Sequence, residues 1–288
     1  LAMTILVTAA SGQLGHLVID ALLARGVSPD SIVAGARTVA KAADLADKGV
    51  RVVPLDYTVP ESIDTALEGV DSVLLISGSD PGARLAGHVN VIEAAARAGV
   101  KKLAYTSVSH ADTSELVLAP DHKATEEAIA ASDIPAVLLR NNWYIENSAG
   151  DLATAAQTGV LSAAVGDAAI SAAARIDFAE AAAAVMLDDA HIGRTYELAG
   201  PRATYSDIAA AMSEVLGREV VYAPATAEEL AARLSSFGLD EGTVGFVVAL
   251  DTGIARGDLD VSDSALTDLI GRPATSWVDA LRAIAPAS

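Results

Sequence analysis

The sequence contains no cysteine, few aromatic residues and half as many basic residues as acidic ones. Without cysteine the chain forms no disulfide and offers no thiolate nucleophile or thiolate metal ligand. The 19 basic and 38 acidic residues give a net charge of -19. Such a charge disfavours a nucleic-acid partner, which needs a basic face, and an anionic membrane surface. It still permits a local basic pocket for a phosphate.

The chain also lacks an apolar run long enough to span a bilayer. The first apolar run leads into a turn rather than into a signal-peptide cleavage site. The histidines are scattered along the sequence and indicate no metal site. We therefore expect a cytoplasmic protein, a monomer or homodimer, with a small molecule as its partner.

Apolar runs alternate with helical patterns over the first half of the chain. MTILVT at 3–8 and KKLAYTS at 101–107 are predicted strands, whereas HVNVIEAAARAG at 88–99 has helical spacing. This alternation predicts the α/β class, with a doubly wound parallel Rossmann sheet covered on both faces. The other predicted strands lie at 31–36, 50–56, 71–77, 135–140 and 195–200, and further helices at 14–26, 121–132 and 178–188.

The later part of the chain changes character. After residues 200–201 come amphipathic helical patterns near 204–217, 226–236 and 263–270, with a short strand at 220–223. We predict a Rossmann domain at 3–150, completed by 176–200. We assign 151–175 and 201–288 to a smaller, mainly helical α/β domain that binds substrate.

The segment VTAASGQLG at 7–15 has the form of a dinucleotide-binding turn. It lies between a predicted strand and a predicted helix, where a pyrophosphate meets helix N-terminal amides. Gly12 allows the backbone to approach the phosphate, and Gly15 allows the helix to pack on the strand. Ala9 stands where the usual fingerprint has a glycine, which it can replace if its φ stays negative.

The ends of the next two strands carry the residues that select a cofactor. Arg37 follows the second strand, where an NAD site usually has a carboxylate, and a guanidinium there suits a 2′-phosphate. Lys41 lies nearby, and Asp56 is placed to accept a hydrogen bond from an adenine amino group. A solvated Arg37 and a turn-capping Asp56 are the alternatives.

Several long segments give the chain a family resemblance. TAASGQLGHLVIDALL, ARTVAKAADLADKGVRVVPLDY, LLISGS, AGVKKLAYTSVSHADTS, LLRNNWYIEN, TYELAG and IGRPATSWVDAL are similar, in order, to the NmrA-like atypical short-chain dehydrogenase/reductases. The resemblance implies NADP(H), with NAD(H) as an alternative, bound in a cleft between two domains. The cofactor-binding residues that it and the turn imply are Ala9, Ala10, Ser11, Gly12, Gln13, Leu14, Arg37, Asp56, Ser77, Gly78, Ser79, Asn142, Trp143, Tyr144, Asn147 and Arg175.

The chain departs from the family pattern at the residues that carry the chemistry. Ordinary short-chain dehydrogenases use Tyr-x-x-x-Lys on a helix, and here Ala119 stands four residues before Lys123. Ser107 matches the companion serine. Asn142 replaces a family glycine and puts an amide near the substrate.

A missing tyrosine favours quinones over ketones as substrates. Hydride transfer to a ketone gives a strongly basic alkoxide, whereas a quinone gives a hydroquinone anion whose conjugate acid has a pKa of about 10. The predicted catalytic residues are Lys123, Ser107, His110 and Tyr144, with His122 as a further candidate. The predicted substrate contacts are Trp143, Tyr144, Phe237 and Phe246, for which core or inter-domain packing is the alternative.

Three functions remain open from the sequence. The first is an NADPH-dependent oxidoreductase that reduces quinones or quinone-like polycyclic aromatics. The second is a tailoring enzyme of aromatic polyketides, acting as a reductase or cofactor-assisted monooxygenase. The third is a non-catalytic NADP-binding redox sensor.

Overall fold

The structure is a computed structural model that describes residues 3–79 and 82–285. Within these residues, seven strands pair side by side into one sheet. All six pairings in this sheet are parallel. Its strands are β1 (Ile5–Val7), β2 (Ile32–Ala36), β3 (Arg51–Pro54), β4 (Ser72–Leu75), β5 (Lys102–Val108), β6 (Ala136–Asn141) and β9 (Thr195–Leu198).

The strand order is β3-β2-β1-β4-β5-β6-β9. Between β1 and β4 the direction of winding reverses, and open α/β sheets bind their ligands at this switch point, outside the carboxyl ends of the strands. Every residue of β1, β2, β4 and β5 is buried, as the continuous apolar runs predict. The predicted doubly wound parallel sheet is confirmed.

Helices cover both faces of the sheet. One face packs α1 (Gln13–Ala24), α7 (Arg175–Leu187) and α11 (Ala265–Ile270) against residues such as Ile5 and Val7. The other face packs α3 (Pro60–Ala66) and α4 (Arg84–Ala98) against Leu6 and its neighbours, because successive side chains of a strand point to opposite faces. The helices between β1 and β9 in the chain are α1 (Gln13–Ala24), α2 (Ala43–Asp47), α3 (Pro60–Ala66), α4 (Arg84–Ala98), α5 (Ala119–Ala131), α6 (Ala149–Thr158) and α7 (Arg175–Leu187).

A third apolar core lies beyond the carboxyl edge of the sheet. It is built mainly by helices of the later chain and includes Trp277, Met212 and Leu259. Two small sheets join it, one antiparallel (β8 with β10) and one parallel (β7 with β11). The elements are β7 (Val160–Leu161), β8 (Ala169–Ile170), β10 (Ala203–Thr204), β11 (Val221–Tyr222), α8 (Tyr205–Leu216), α9 (Ala227–Ser236), α10 (Glu241–Arg256), α11 (Ala265–Ile270) and α12 (Trp277–Ile284).

The division into domains at 3–150 with 176–200, and 151–175 with 201–288, stays a prediction, and residues 286–288 lie outside the described residues. The sequence patterns gave no bounds for α6, α10 and α12. In α10, three glycines and several β-branched residues lower the helix propensity, so packing decides its structure. No helix in the described part of the chain is both long and apolar enough to cross a membrane.

Candidate functional site

A cleft of about 730 Å³ opens at the carboxyl ends of the strands, next to the switch point. The turn after β1, the loop after β4 and the segment after β6 form its walls. Helix α4 contributes Arg84 and Gly87, and α5 contributes His122. The lining of the cleft is Ala9, Ser11, Gly12, Gln13, Leu14, Gly15, Arg37, Leu55, Asp56, Tyr57, Thr58, Ile76, Ser77, Gly78, Ser79, Ala83, Arg84, Gly87, Ser107, Val108, Leu118, His122, Asn141, Asn142, Trp143, Tyr144, Asn147 and Arg175.

The turn after β1 brings the start of α1 to the cleft. A methyl group at Gly15 would lie 2.5 Å from the carbonyl oxygen of Ala9, so only glycine allows the helix to sit this close to the turn. Gly12 caps α1 without a side-chain hydrogen bond, and the first turn contains no acidic residue. The helix N-terminus therefore offers its positive end and free amides to an anion.

Ala9 corrects one expectation from the sequence. Its φ is +49°, in the left-handed region, whereas we expected a negative φ. The carbonyl of Ala9 accepts from the Gly12 amide at 2.9 Å, and the Ala10 amide donates to Gly35 O at 2.9 Å. These bonds hold the turn in a conformation that costs an alanine about 1–2 kcal/mol relative to glycine.

The charge of the cleft is opposite to that of the whole chain. Its lining contains three arginines, Arg37, Arg84 and Arg175, and one carboxylate, Asp56. Asp56 Oδ1 accepts from the amide and hydroxyl of Thr58 at 2.9 and 2.7 Å, and these bonds hold the pKa of Asp56 below its usual value. Asp56 thus caps a turn and also lines the cleft. The cleft is a basic pocket in an acidic protein.

The loop after β4 is fixed by buried histidine and threonine side chains. The Ser77 amide donates to Thr106 Oγ1 and the Gly78 amide donates to His88 Nε2, each at 2.9 Å. Thr125 Oγ1 donates to Asp121 O and therefore accepts from His88 Nδ1 at 3.0 Å. Burial, and then the charge of Arg84, lowers the pKa of His88 to about 4, so the ring is neutral and accepts from Gly78.

The segment after β6 approaches the cleft from the other side. The side-chain amide of Asn142 donates to Ser109 Oγ at 3.0 Å and to Leu259 O at 3.1 Å, and its Oδ1 accepts from the Trp143 amide. The replacement of the family glycine by Asn142 therefore ties β6 to the later chain. Its amide hydrogens point away from the cleft into these bonds.

Tyr144 is enclosed by polar groups of the same wall. Its hydroxyl accepts a long bond from Asn141 Nδ2 at 3.4 Å, and the Arg175 guanidinium carbon lies 4.9 Å from its ring centroid. Burial raises the pKa of Tyr144, which keeps the phenol protonated. Asn141 Oδ1 is buried and has no hydrogen-bond partner among the described residues. An unpartnered buried amide oxygen in this wall fits a cleft that is completed by a ligand.

The residues that line the cleft at the start of α5 are not those at the two positions of the Tyr-x-x-x-Lys motif, 119 and 123. Leu118 and His122, four residues apart, line the cleft, whereas Ala119 is buried in the third core. Lys123 is exposed, and its Nζ donates to Asp112 O at 3.2 Å. The structure therefore does not bring Lys123 to the cleft, because one residue along a helix turns the side chain by about 100°.

Ser107, one of the residues predicted as catalytic, lies in the cleft wall with its proton pointing into the protein. Its hydroxyl donates to Glu126 Oε1 at 2.6 Å. Glu126 accepts two further bonds from Arg140, at 3.0 and 2.7 Å, and Arg140 also binds Asp112 and Glu197. Ser107 therefore offers its lone pairs to the cleft.

Four other predicted site residues lie away from the cleft lining. His110 is exposed, has a φ of +49° and donates its amide to the Glu197 carboxylate. Phe237 is 70% exposed at the end of α9, and Phe246 is half-buried on α10. Ala10 is fully buried behind the turn. Their positions result from turn and packing geometry that residue types alone do not determine.

Arg84 and Glu126 are among the side chains of this region that the sequence patterns missed. Arg84 lines the cleft from the first residue of α4, and Glu126 binds Ser107 from α5. The predicted helix over 88–99 began four residues too late to include Arg84. Glu126 lies four residues after His122 and therefore on the same face of the helix, so the sequence could have indicated it as a site residue.

The strand order, the switch point and the glycine-lined turn define a protein of the Rossmann class. The model of the NmrA-like family matches residues 2–250, and the chain belongs to this family. It is 42% identical to quinone oxidoreductase 2 of Escherichia coli K12, over 96% of this chain and 97% of that protein.

Solved structures agree with this assignment. A crystal structure of NADPH-dependent quinone oxidoreductase from E. coli, complexed with NADPH, superposes with a TM-score of 0.93 at 41% identity, covering 98% of this chain and 99% of the other. Triphenylmethane reductase of Citrobacter sp., complexed with NADP(H), gives a TM-score of 0.92 at 36% identity, covering 98% of this chain and 100% of the other.

Proposed function

We propose that this protein reduces quinones and quinone-like polycyclic aromatic compounds by hydride transfer from NADPH. The chain is an NADP(H)-dependent oxidoreductase. The observation that carries the choice of substrate is its likeness to quinone oxidoreductase 2 over nearly the full length of both proteins.

The residues of the cleft fit a phosphorylated dinucleotide. Gly12 and the amides at the start of α1 would hold the pyrophosphate, and Arg37, which lines the same cleft, would hold the 2′-phosphate. Bound NADPH supplies the hydride. The other residues proposed to contact it are Ala9, Ser11, Gln13, Leu14, Asp56, Ser77, Gly78, Ser79, Asn142, Trp143, Tyr144, Asn147 and Arg175, with Ala10 behind the turn.

Reduction of a quinone requires little acid catalysis by side chains of the protein. Reduction leaves a hydroquinone anion, and the pKa of its conjugate acid, about 10, allows water to supply the proton after release. Leu118, just before α5, and His122, on α5, line the cleft where a tyrosine is absent. Orientation of the ring and stabilisation of charge are thus the main tasks of the side chains.

The lining also suits a flat apolar substrate. Trp143 and Tyr144 offer aromatic surface, and Val108, Leu118 and Ile76 add aliphatic surface in the same cleft. Aromatic side chains stack on or meet the edges of planar rings. These contacts favour polycyclic quinones over small aliphatic carbonyl compounds. A tailoring role on aromatic polyketides stays a prediction, as does the choice between monomer and homodimer.

Steady-state oxidation of NADPH with a panel of acceptors tests this proposal. The panel contains benzoquinones, naphthoquinones and polycyclic quinones, and ketones of matched size as controls. We expect oxidation of NADPH with quinones and none with the ketones. Equal turnover of the ketones, or no oxidation with any quinone, would contradict the proposed substrate class.

A further inference from the structure

Two side chains from different helices meet in the cleft wall. Arg84 on α4 and His122 on α5 both line the cleft, and Arg84 Nη1 lies 3.5 Å from His122 Nε2. They are 8% and 5% exposed, respectively. The pair is therefore a buried part of the site and not a feature of the outer surface.

The charge of Arg84 is only partly balanced by the described residues. Its Nε donates to Gly78 O at 2.6 Å and its Nη1 faces His122, which leaves Nη2 and the second hydrogen of Nη1 for other acceptors. The nearest described carboxylate oxygen is Asp121 Oδ2, 4.0 Å from Nη1, which is beyond hydrogen-bond distance. Buried guanidinium groups usually have a hydrogen-bonded anionic partner. An anionic oxygen that enters from the cleft would provide one.

His122 is held in place from behind. The hydroxyl of Tyr105, which is fully buried on β5, lies 2.7 Å from His122 Nδ1. This contact fixes the ring so that Nε2 faces Arg84. Burial, and then the charges of Arg84 and His88, lower the pKa of His122 to about 3. His122 is therefore a neutral neighbour that orients Arg84 without adding charge.

We propose that Arg84, oriented by His122, binds the carbonyl oxygen of the substrate and stabilises the negative charge that develops there. This inference rests on the proposed function. The quinone gains the hydride with its electron pair, with oxidation of NADPH to NADP⁺, and becomes the hydroquinone anion. The charge on its oxygen is balanced by the guanidinium until release, when water supplies the proton that gives the hydroquinone. Arg84 thus provides for an anion what the missing tyrosine provides in ketone reduction.

Binding of a phenolate tests this site without turnover. The absorption of para-nitrophenol changes when it ionises, so a pH titration of the phenol bound to the protein–NADP⁺ complex reports its pKa. We expect wild-type protein to bind the phenolate and to lower this pKa. Arg84→Gln should remove the shift and weaken phenolate binding about 10- to 100-fold, the loss for one charged hydrogen-bonded pair. Arg84→Lys should retain part of both effects.

Two further variants separate the role of Arg84 from general damage. Arg97→Gln changes an exposed arginine at the other end of α4, which pairs with Asp64 outside the cleft, and should leave the phenol pKa as in wild type. His122→Phe removes the orienting ring and should weaken phenolate binding less than Arg84→Gln does. Fluorescence titration of NADPH checks the cofactor site, because Arg84 also holds Gly78.

The outcomes distinguish this site from the proposed function. A pKa shift that is absent in wild type or persists in Arg84→Gln would overturn the site, as would an equal loss of NADPH and phenolate affinity. A shift that is present in wild type and lost in Arg84→Gln supports it. If the wild-type protein shows that pattern but oxidises no NADPH with quinones, the anion site stands and the proposed function fails.

Discussion

The hydroxyl of Ser107 donates a 2.6 Å hydrogen bond to Glu126, whose carboxylate also accepts two bonds from Arg140. The three side chains are 4%, 9% and 8% exposed, so the cluster is buried next to the cleft. Because the serine proton is engaged, the face that Ser107 turns to the cleft accepts hydrogen bonds. Glu126 therefore makes Ser107 a hydrogen-bond acceptor towards the cleft.

Removal of the charge of Glu126 should destabilise the protein. Glu126→Gln leaves Arg140 without its bidentate carboxylate, and loss of one partner of a buried pair costs about 3–5 kcal/mol. We expect a loss near the lower figure, since Arg140 retains Asp112 and Glu197. Urea denaturation measures it. Glu127→Gln, at an exposed neighbour, should change stability by less than about 0.5 kcal/mol, and an equally small effect at Glu126 would contradict the account.

Arg37 should determine the preference for NADPH over NADH. Arg37→Ala removes the proposed partner of the 2′-phosphate, so NADPH affinity should fall about 10- to 100-fold while NADH affinity is unchanged. Titration of the fluorescence of each reduced cofactor measures both constants. Arg51→Ala, an exposed arginine at the start of β3, is the control. An equal loss for both cofactors would show that Arg37 does not select the phosphate.

Substitution of Lys123 tests whether this lysine acts in catalysis, as the family motif implies, or lies outside the cleft, as in the structure. Its side chain is exposed and bound to Asp112 O outside the cleft lining. Lys123→Met keeps good helix propensity, so it should change stability by less than about 0.5 kcal/mol and leave kcat/KM for quinones unchanged. Steady-state kinetics with NADPH and a naphthoquinone measures this. A large fall in kcat at unchanged NADPH affinity would restore the lysine of the motif as a catalytic residue.

The buried histidines should make the protein less stable in mild acid. The pKa of His88 is lowered to about 4 by burial and by Arg84, from an ordinary 6.5. The unfolded chain therefore takes up this proton first, and the free energy of unfolding falls as pH drops from about 6.5 towards 4. His122 contributes with the same sign, between about 6.5 and 3. Above about pH 7 neither histidine changes the stability with pH.

His88→Gln tests this dependence, because glutamine does not titrate and retains an acceptor for the Gly78 amide. We expect its urea-denaturation stability to decline less steeply than that of wild type between about pH 7 and 5. His110→Asn is the matched control, since His110 is exposed and asparagine tolerates its positive φ. A wild-type slope in His88→Gln would mean that His88 is not buried in its neutral form.

The sheet and the dinucleotide turn were predictable because they depend on local patterns. Buried parallel strands give continuous apolar runs, and a methyl group at Gly12 or Gly15 would lie 3.2 or 2.5 Å from the carbonyl oxygen of Ala9. The positive φ of Ala9 was not predictable, since it depends on bonds to Gly12 and Gly35 that form in the folded turn.

The side chains that α4 and α5 bring to the cleft were less predictable from the sequence. The family motif pointed to position 123, but the rotation of α5 is set by packing of Ala119 and its neighbours in the third core. The contact of Arg84 with His122 joins residues 38 positions apart and is formed only when α4 packs beside α5. No local pattern encodes such a contact.

Hydride transfer from NADPH to a quinone is the reaction proposed for this protein. A single-turnover experiment tests it most directly: protein loaded with stoichiometric NADPH is mixed with a naphthoquinone in a stopped-flow instrument without oxygen. We expect the absorbance of NADPH to be lost as one equivalent of hydroquinone forms. Tight binding of NADPH with no change in its absorbance on addition of any quinone would contradict it.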